Sequence, residues 1–250
     1  MTYKTDGSVH FGGIKNEDLT IQILNELKIY NDIVEKRGGT TQKADAVAGI
    51  KPLSIKRKEG ITNGSFDWFN TSKYNDVLND TFAPFIAQMK ELRTLPESLR
   101  SDDEFVVKIR DNFNQLCELA LDTLTSDQVT DIIRRGLIDT NFGFDVVIND
   151  TKSSELFIFD AEQHPATEYI NRGYTAILKG NGKSSRMVYF VDAAGKVYDC
   201  GLRLRVTSNN GINAFLGNSK ANRNSQVVIK LQQDKVAQLL SAVNAQATSY

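Results

Sequence analysis

The sequence predicts a mixed α/β protein, and three observations support this prediction. Apolar residues recur at helical spacing in residues 16–29 and again in an acidic middle section. Short β-like runs, bounded by glycine and proline, occupy residues 30–58, and more of them follow from residue 143. An order of helix, strands, helices, strands and helix is typical of an α/β or α+β domain with an inserted helical segment.

The first segment of the chain predicts one helix and three strands. We expect the helix over residues 16–29, with Asn16 as its N-cap and acids in its first turn. The predicted strands are "IYNDIVEK", "ADAVAGI" and "PLSIKRK", and a polar loop, "EGITNGSFDWFNTS", follows them.

The middle section predicts helices, and the rest of the chain predicts mostly strands. The helices are "KYNDVLNDTFAPFIAQMKELR", "DDEFVVKIRDNFNQLCELALDTL" and "SDQVTDIIRRGL", the last capped near Ser126 or Asp127. The strands are "FDVVI", "ELFIF", "YTAIL", "RMVYFVD", "KVYDCGLRLRV" and "SQVVIKLQ". A final helix is predicted in "DKVAQLLSAV", and we expect the tail after it to be frayed.

Composition and charge narrow the class of protein. The 250 residues are 40% hydrophobic, include two cysteines and contain no run of roughly 18 apolar residues, so we expect a cytoplasmic protein without a disulfide framework. Residues 172–230 hold ten Lys and Arg against two Asp and Glu, whereas residues 66–171 hold nine against twenty. The basic block indicates either a phosphate-facing surface or a complement to the acidic middle section.

A carboxylate, a hydroxyl and a lysine are expected to meet at one end of a hairpin in residues 43–58, "KADAVAGIKPLSIKRK". Ser54 and Lys56 are two residues apart in a strand, so their side chains point to the same face. Asp45 begins the preceding strand, and pairing of the two strands brings the three side chains together. Hydrolysis of a phosphodiester needs a carboxylate to hold a divalent cation, and it benefits from a lysine near the phosphate.

This stretch resembles the active-site core of the PD-(D/E)XK nuclease superfamily, which includes many restriction and homing endonucleases. That restriction-endonuclease-like core runs helix, three-strand meander, helix, strand. Its Asp begins the second strand, where Asp45 lies, and its acid-x-Lys motif lies on the third, where Lys56 matches the lysine. Ser54 stands where the second acid usually does, and Glu17 lies where the family often adds a glutamate from its first helix.

The resemblance implies a Mg²⁺-dependent endonuclease that hydrolyses DNA phosphodiester bonds, of the restriction or homing type. Asp45 and Glu17 would be the metal ligands, and Mn²⁺ is expected to replace Mg²⁺. Lys56 would place its charge beside the phosphate, and Ser54 would hydrogen-bond a metal-bound water or the phosphate. Because a serine supplies no negative charge, loss of activity is an open alternative.

The implied organisation has three parts. Residues 1–95 form the nuclease core, residues 96–140 a helical segment, and residues 141–250 a β-rich part that completes the fold and contacts DNA. A homodimer on double-stranded DNA is expected, because restriction and homing endonucleases commonly act as dimers. Asp67 and Glu59 are alternatives to Glu17 as the second acid.

Basic side chains at two places are the candidates for DNA contacts. Lysine and arginine neutralise phosphates, and arginine also forms bidentate contacts with base edges. The candidates are Arg57, Lys58, Ser65, Arg203, Arg205, Lys220, Arg223 and Lys230. A run of Asn/Gly turns on a β-rich domain explains the same C-terminal composition without DNA.

Two other classes of function also fit the sequence. A non-catalytic DNA-binding protein would keep the nuclease fold without cleavage, and a structural or assembly protein would use the acidic helical section as an interface. An Asp at a strand end is often a turn former, and lysines on a strand often protect a sheet edge. DNA versus RNA, the target sequence and the biological role stay open.

Overall fold

The computed structural model defines the positions of five helices and twelve strands within the residues that it describes. These are residues 8–37, 44–59, 63–65, 67–70, 87, 103–182, 185–207 and 226–250. The helices are α1 (Ser8–Glu26), α2 (Asp103–Asp122), α3 (Ser126–Ile133), α4 (Pro165–Asn171) and α5 (Val236–Ala242). A π-helical turn, Arg134–Ile138, continues α3.

The strands form two sheets. They are β1 (Val34–Lys36), β2 (Ala46–Ala48), β3 (Lys51–Glu59), β4 (Asn63–Ser65), β5 (Asp67–Asn70), β6 (Asp145–Asp150), β7 (Glu155–Asp160), β8 (Thr175–Gly182), β9 (Ser185–Val191), β10 (Val197–Thr207), β11 (Gln226–Leu231) and β12 (Gln246–Ser249). The first sheet has the order β1-β2-β3-β6-β7-β12, with β4 paired to the end of β3, and the second has the order β5-β11-β10-β9-β8. The chain is therefore mixed α/β, as predicted.

The first sheet is mixed because β3 and β6 pair in parallel, whereas its other pairs are antiparallel. A parallel pair needs a long crossover between its strands, and the helices α2 and α3 lie in that part of the chain. The last five residues of β6 are all buried, which suits a central strand covered on both faces. The second sheet is antiparallel throughout.

Two apolar clusters cover the faces of the first sheet. Helix α1 packs Ile23 and Leu24 against one face, where Leu53 and Ile55 of β3 are buried. The other face carries Val146 and Ile148 of β6 and contributes to a larger cluster with α2, α3, α4, α5 and the inner face of the second sheet. The side-chain alternation of β3 therefore assigns each of its residues to one of two different environments.

Several predicted boundaries are wrong for physical reasons. Helix α1 begins at Ser8, so Asn16 is an internal, buried residue and not an N-cap; its carbonyl accepts a hydrogen bond from the Thr20 hydroxyl at 2.7 Å. Residues 63–65 and 67–70, expected to be loop, pair as β4 and β5 with β3 and β11. Residues 246–249, expected to be frayed, pair as β12 with β7.

The other helix predictions have mixed outcomes. Helix α2 is confirmed, and α3 is confirmed with a different cap, because Thr125 forms a capping box with Gln128. The helix expected in "KYNDVLNDTFAPFIAQMKELR" lies outside the described residues except for position 87. Among the described helices, none has the combination of length and apolar character that a membrane crossing requires.

Helix α4 begins with an unusual cap, a fully buried histidine. The Nδ1 atom of His164 accepts a hydrogen bond from the Ala166 N–H at 3.1 Å, and Pro165 occupies the first helical position. Burial lowers the pKa of His164 to about 3. A neutral imidazole suits this place, since a protonated Nδ1 has no lone pair with which to cap the helix.

This cap predicts a pH-dependent stability. Because the pKa of His164 falls from 6.5 to about 3 on folding, the unfolded chain binds the proton first as the pH decreases. The free energy of unfolding should therefore fall below about pH 6.5, by up to about 1.4 kcal/mol per pH unit. In His164→Asn, which caps without titrating, the slope between about pH 6.5 and 5 should be smaller. Urea titrations at several pH values measure both slopes, and equal slopes would contradict the assignment.

Candidate functional site

Strands β2 and β3 separate at Asp45. Ala46 still pairs with Leu53, and the Asp45 N–H donates to the Leu53 carbonyl at 2.9 Å. Two residues further along β3, the Asp45 side chain replaces its backbone in the pairing: Oδ2 of Asp45 accepts the N–H of Ile55 at 2.8 Å. Among the residues that the structure describes, β4 pairs with β3 from Arg57 onwards. In this part of the chain the carboxylate therefore stands at a break in pairing between β2 and β4.

Ser54 and Lys56 lie on one face of the first sheet, and the Asp45 carboxylate contacts the strand between them. The alternation of β3 puts Ser54 and Lys56 opposite Leu53 and Ile55, which are buried beneath α1. Ser54 is only 1% exposed, whereas Asp45 and Lys56 are half-buried. Because the carboxylate bonds the N–H of Ile55, the residue between Ser54 and Lys56, all three residues belong to the same short segment at the break.

Glu17 occupies a different side of the same region. Its Oε2 lies 4.0 Å from Nζ of Lys36, which Asp18 also contacts at 2.5 Å. Lys36 pairs with Ala46, the neighbour of Asp45 in β2. Helix α1, which carries Glu17, packs on the face of the sheet where Leu53 and Ile55 are buried, whereas Ser54 and Lys56 alternate to the other face. Glu17 therefore lies near the start of β2 on the α1 side of the sheet and is not brought to the face of Ser54 and Lys56.

Lys58 forms a buried ion pair that the sequence did not predict. Its Nζ lies 2.5 Å from Oδ2 of Asp150 on β6 and 5.7 Å from the centre of the Phe157 ring. The two charged side chains are only 15% and 5% exposed. Asp150 ends the apolar run "FDVVIND", and a carboxylate at the end of a buried strand was the signal available in the sequence. Lys58 was expected to contact DNA, whereas its charge is neutralised within the protein by Asp150.

The donor set at the break suits a hard divalent cation held by few protein ligands. Oδ2 of Asp45 accepts a hydrogen bond from the Ile55 N–H, and no other hydrogen bond of this carboxylate is found within the described residues. Across the same residues, no group of three or more His, Cys, Asp and Glu side chains is arranged as a metal site. Mg²⁺ often binds through one or two carboxylates and completes its shell with water and phosphate oxygens. The residues present fit such a site and do not build a closed metal cage.

The remaining DNA-binding candidates lie on the first sheet, on the second sheet or outside the described residues. Arg57 is half-buried on the α1 side of β3, opposite Ser65 in the β3–β4 register. Lys220 and Arg223 are the two candidates that the described residues do not include. The alternative acids Glu59 and Asp67 end β3 and begin β5.

The second sheet brings three basic candidates to one face. Leu202 and Leu204 of β10 are buried in the larger apolar cluster, so Arg203 and Arg205 point to the opposite face. Lys230 of β11 pairs directly with Arg203. All three are half-buried. This set, Arg203, Arg205 and Lys230, is called the basic row below.

The buried ion pair gives a prediction on stability. Lys58→Met removes the cation that contacts the buried Asp150 carboxylate, so the free energy of unfolding should fall by about 3 kcal/mol or more. Lys108→Met is a matched control, because Lys108 pairs with Glu104 where the side chains are 66% and 82% exposed. That pair should contribute no more than about 1 kcal/mol. Equal losses in the two variants, measured by urea denaturation, would contradict a special role for the buried pair.

Comparison of the whole chain with protein families, curated proteins and solved structures gives no significant match.

Proposed function

We propose that this protein is a metal-dependent deoxyribonuclease of the PD-(D/E)XK type, acting as an endonuclease. The observation that carries the proposal is the position of the Asp45 carboxylate at the break between β2 and β4, where it bonds the N–H of the residue that precedes Lys56. A phosphodiester in the break would meet a metal-binding acid and a cation together. This is the pairing that hydrolysis of a phosphodiester requires.

The order of the elements supports the proposed nuclease core. Helix α1 precedes the antiparallel meander of β1, β2 and β3; after the short strands β4 and β5, a helical section leads to β6, which lies parallel to β3. The nuclease core runs helix, three-strand meander, helix and strand, so β4 and β5 would be additions to that order. In that core, the first acid lies at the start of the second strand and the lysine on the third; here Asp45 directly precedes β2 and Lys56 lies on β3.

Each residue has a distinct role in the proposed reaction. Mg²⁺, when bound, would activate a water and neutralise charge that develops on the phosphate. Asp45 would hold the cation while its second oxygen keeps the Ile55 N–H, which fixes the carboxylate in place. Lys56 would hold a phosphate oxygen. Ser54, buried beneath, would bond a water in the site, and Glu17 would contribute the second acid from the edge of β2.

The basic row is the proposed contact with the DNA backbone outside the active site. Arginine and lysine on adjacent strands follow a line of phosphates without reading the sequence. Their half-buried positions fix their orientation in the sheet, and hence the direction of the contact. A homodimer would provide this row twice, so the proposal includes two copies on one duplex.

A non-catalytic DNA-binding protein is the second candidate. The observation in its favour is Ser54, a buried hydroxyl where the family usually has the second acid. Such a protein would bind DNA in a salt-dependent way without cutting it. The cleavage experiment separates the two candidates.

Asp45→Asn and Lys56→Ala test the proposed chemistry. Asparagine keeps an oxygen for the Ile55 N–H but removes the charge, so the fold should persist while plasmid cleavage with Mg²⁺ falls about 100-fold or more. Lys56→Ala should lower cleavage similarly. Nicked and linear plasmid are measured on gels over time, with Mn²⁺ as a second cation.

Controls for these variants are available on the far hairpin. Asp192→Asn and Lys196→Ala change the same residue types in the β9–β10 turn, where Asp192 bonds only groups of its own hairpin within the described residues. They should cleave as the unaltered protein does. Equal cleavage by all five proteins would overturn the assignment, and DNA binding without any cleavage would favour the second candidate.

Arg205→Ala tests the basic row. Removal of one phosphate contact should weaken binding to any duplex sequence and reduce the slope of log K against log salt by about 1. Fluorescence anisotropy with a labelled duplex at several salt concentrations gives the slope. Lys196→Ala is the control for loss of a surface charge. A slope that changes equally in both variants would remove the basic row from the proposal.

A further inference from the structure

A chain of hydrogen bonds crosses from β12 to α1 beneath the helix. The Tyr250 hydroxyl donates to Oδ1 of Asn149 at 2.8 Å, and Nδ2 of Asn149 donates to Oγ1 of Thr20 at 2.9 Å. The Thr20 hydroxyl in turn donates to the carbonyl of Asn16 at 2.7 Å. Tyr250 directly after β12, Asn149 on β6 and Thr20 on α1 are thereby joined in series.

The middle of this hydrogen-bond chain is buried, and its members satisfy one another. Asn149 and Thr20 are both 0% exposed, whereas Tyr250 is 40% exposed. The amide of Asn149 uses both its oxygen and its nitrogen, and the hydroxyl of Thr20 both accepts and donates. Burial raises the pKa of the Tyr250 hydroxyl, which therefore remains a donor near neutral pH. Loss of any member leaves a buried polar partner without its bond.

Directional contacts of this kind are what fix the register of α1. Ile23 and Leu24 pack on the sheet through apolar contacts, which are non-directional and allow sliding or rotation. Asn25 supplies one directional anchor, because its side chain bonds both the N–H and the carbonyl of Val34 on β1. The hydrogen bond from Asn149 of β6 to Thr20 supplies a second anchor, five residues nearer the start of the helix.

This second anchor connects the two sides of the proposed site. Asn149 is the register partner of Arg57 in β3, directly after Lys56. Asn16, at the other end of the chain, directly precedes Glu17. A change in the side-chain hydrogen bonds of Asn149 therefore acts, through Thr20, on the helix that holds Glu17.

We propose that Tyr250, Asn149 and Thr20 are positioning residues that hold Glu17 in register with the active-site strand. This inference rests on the proposed nuclease function, in which Glu17 is the second acid. Tyr250 lies at the surface end of this series of hydrogen bonds. Removal of its hydroxyl therefore loosens the register of α1 on the sheet with the least disturbance of the core.

Tyr250→Phe and a matched Tyr30→Phe test the inference. Tyr30 also loses a hydroxyl bonded to the first sheet, to Asp145 at 2.9 Å, but at the opposite end of α1. For Tyr250→Phe we expect kcat for plasmid cleavage to fall about 10-fold with KM for DNA unchanged, as for other residues that orient a metal ligand. Tyr30→Phe should keep the kcat of the unaltered protein. In a Glu17→Gln background, Tyr250→Phe should have no further effect, because the two residues act as a unit.

Hydrogen exchange provides a readout that needs neither DNA nor metal. Amides near Asn16 and Thr20 should exchange about 10-fold faster in Tyr250→Phe, and those near Asn25 should not change. Additive effects of Tyr250→Phe and Glu17→Gln on kcat would overturn the inference, as would equal kcat values for the two tyrosine variants. Absence of cleavage by the unaltered protein would overturn the proposed function; in that case faster exchange near Asn16 still supports the anchor, and unchanged exchange overturns it.

Discussion

The hydrogen bond between the Asp45 carboxylate and the Ile55 N–H is the interaction on which the site depends. Where two strands pair, the backbone N–H groups that face each other are hydrogen-bonded, and no space is left between the strands for a ligand. Here a side chain satisfies the donor at the point where β2 leaves β3, and β4 resumes pairing at Arg57. Within the described residues, the break therefore needs no further strand to satisfy this donor, and it holds an acid beside the segment of β3 that lies between the two pairings.

The charges around this break are divided between structure and proposed chemistry. Lys58 forms an ion pair with Asp150. On the side of helix α1, Lys36 forms an ion pair with Asp18. Lys56 lies two residues before Lys58 and on the same face of β3. The buried pair of Lys58 and Asp150 contributes little net stability but is costly to break, so it fixes the geometry of the strand beside Lys56.

Local patterns predicted much of the fold, and long-range pairing accounts for the errors. The alternation in residues 43–58 indicated that Ser54 and Lys56 share a face, because a strand period is a local property. Nothing local shows that residues 246–249 pair with β7, or that "NGS" and "DWFN" complete two different sheets. Glu17 shows the same limit at the site: helical position was predictable, whereas the face of the sheet that α1 covers depends on tertiary packing.

The most direct measurement is a crystal structure of the protein soaked in Mn²⁺, whose anomalous scattering locates the ion. A peak is expected within coordination distance of the Asp45 carboxylate, roughly 2.2 Å, in the break between β2 and β4. A second, weaker peak toward Glu17 would agree with a two-acid site. Ordered Mn²⁺ bound only elsewhere, or a site closed by another strand, would exclude Asp45 as the metal ligand.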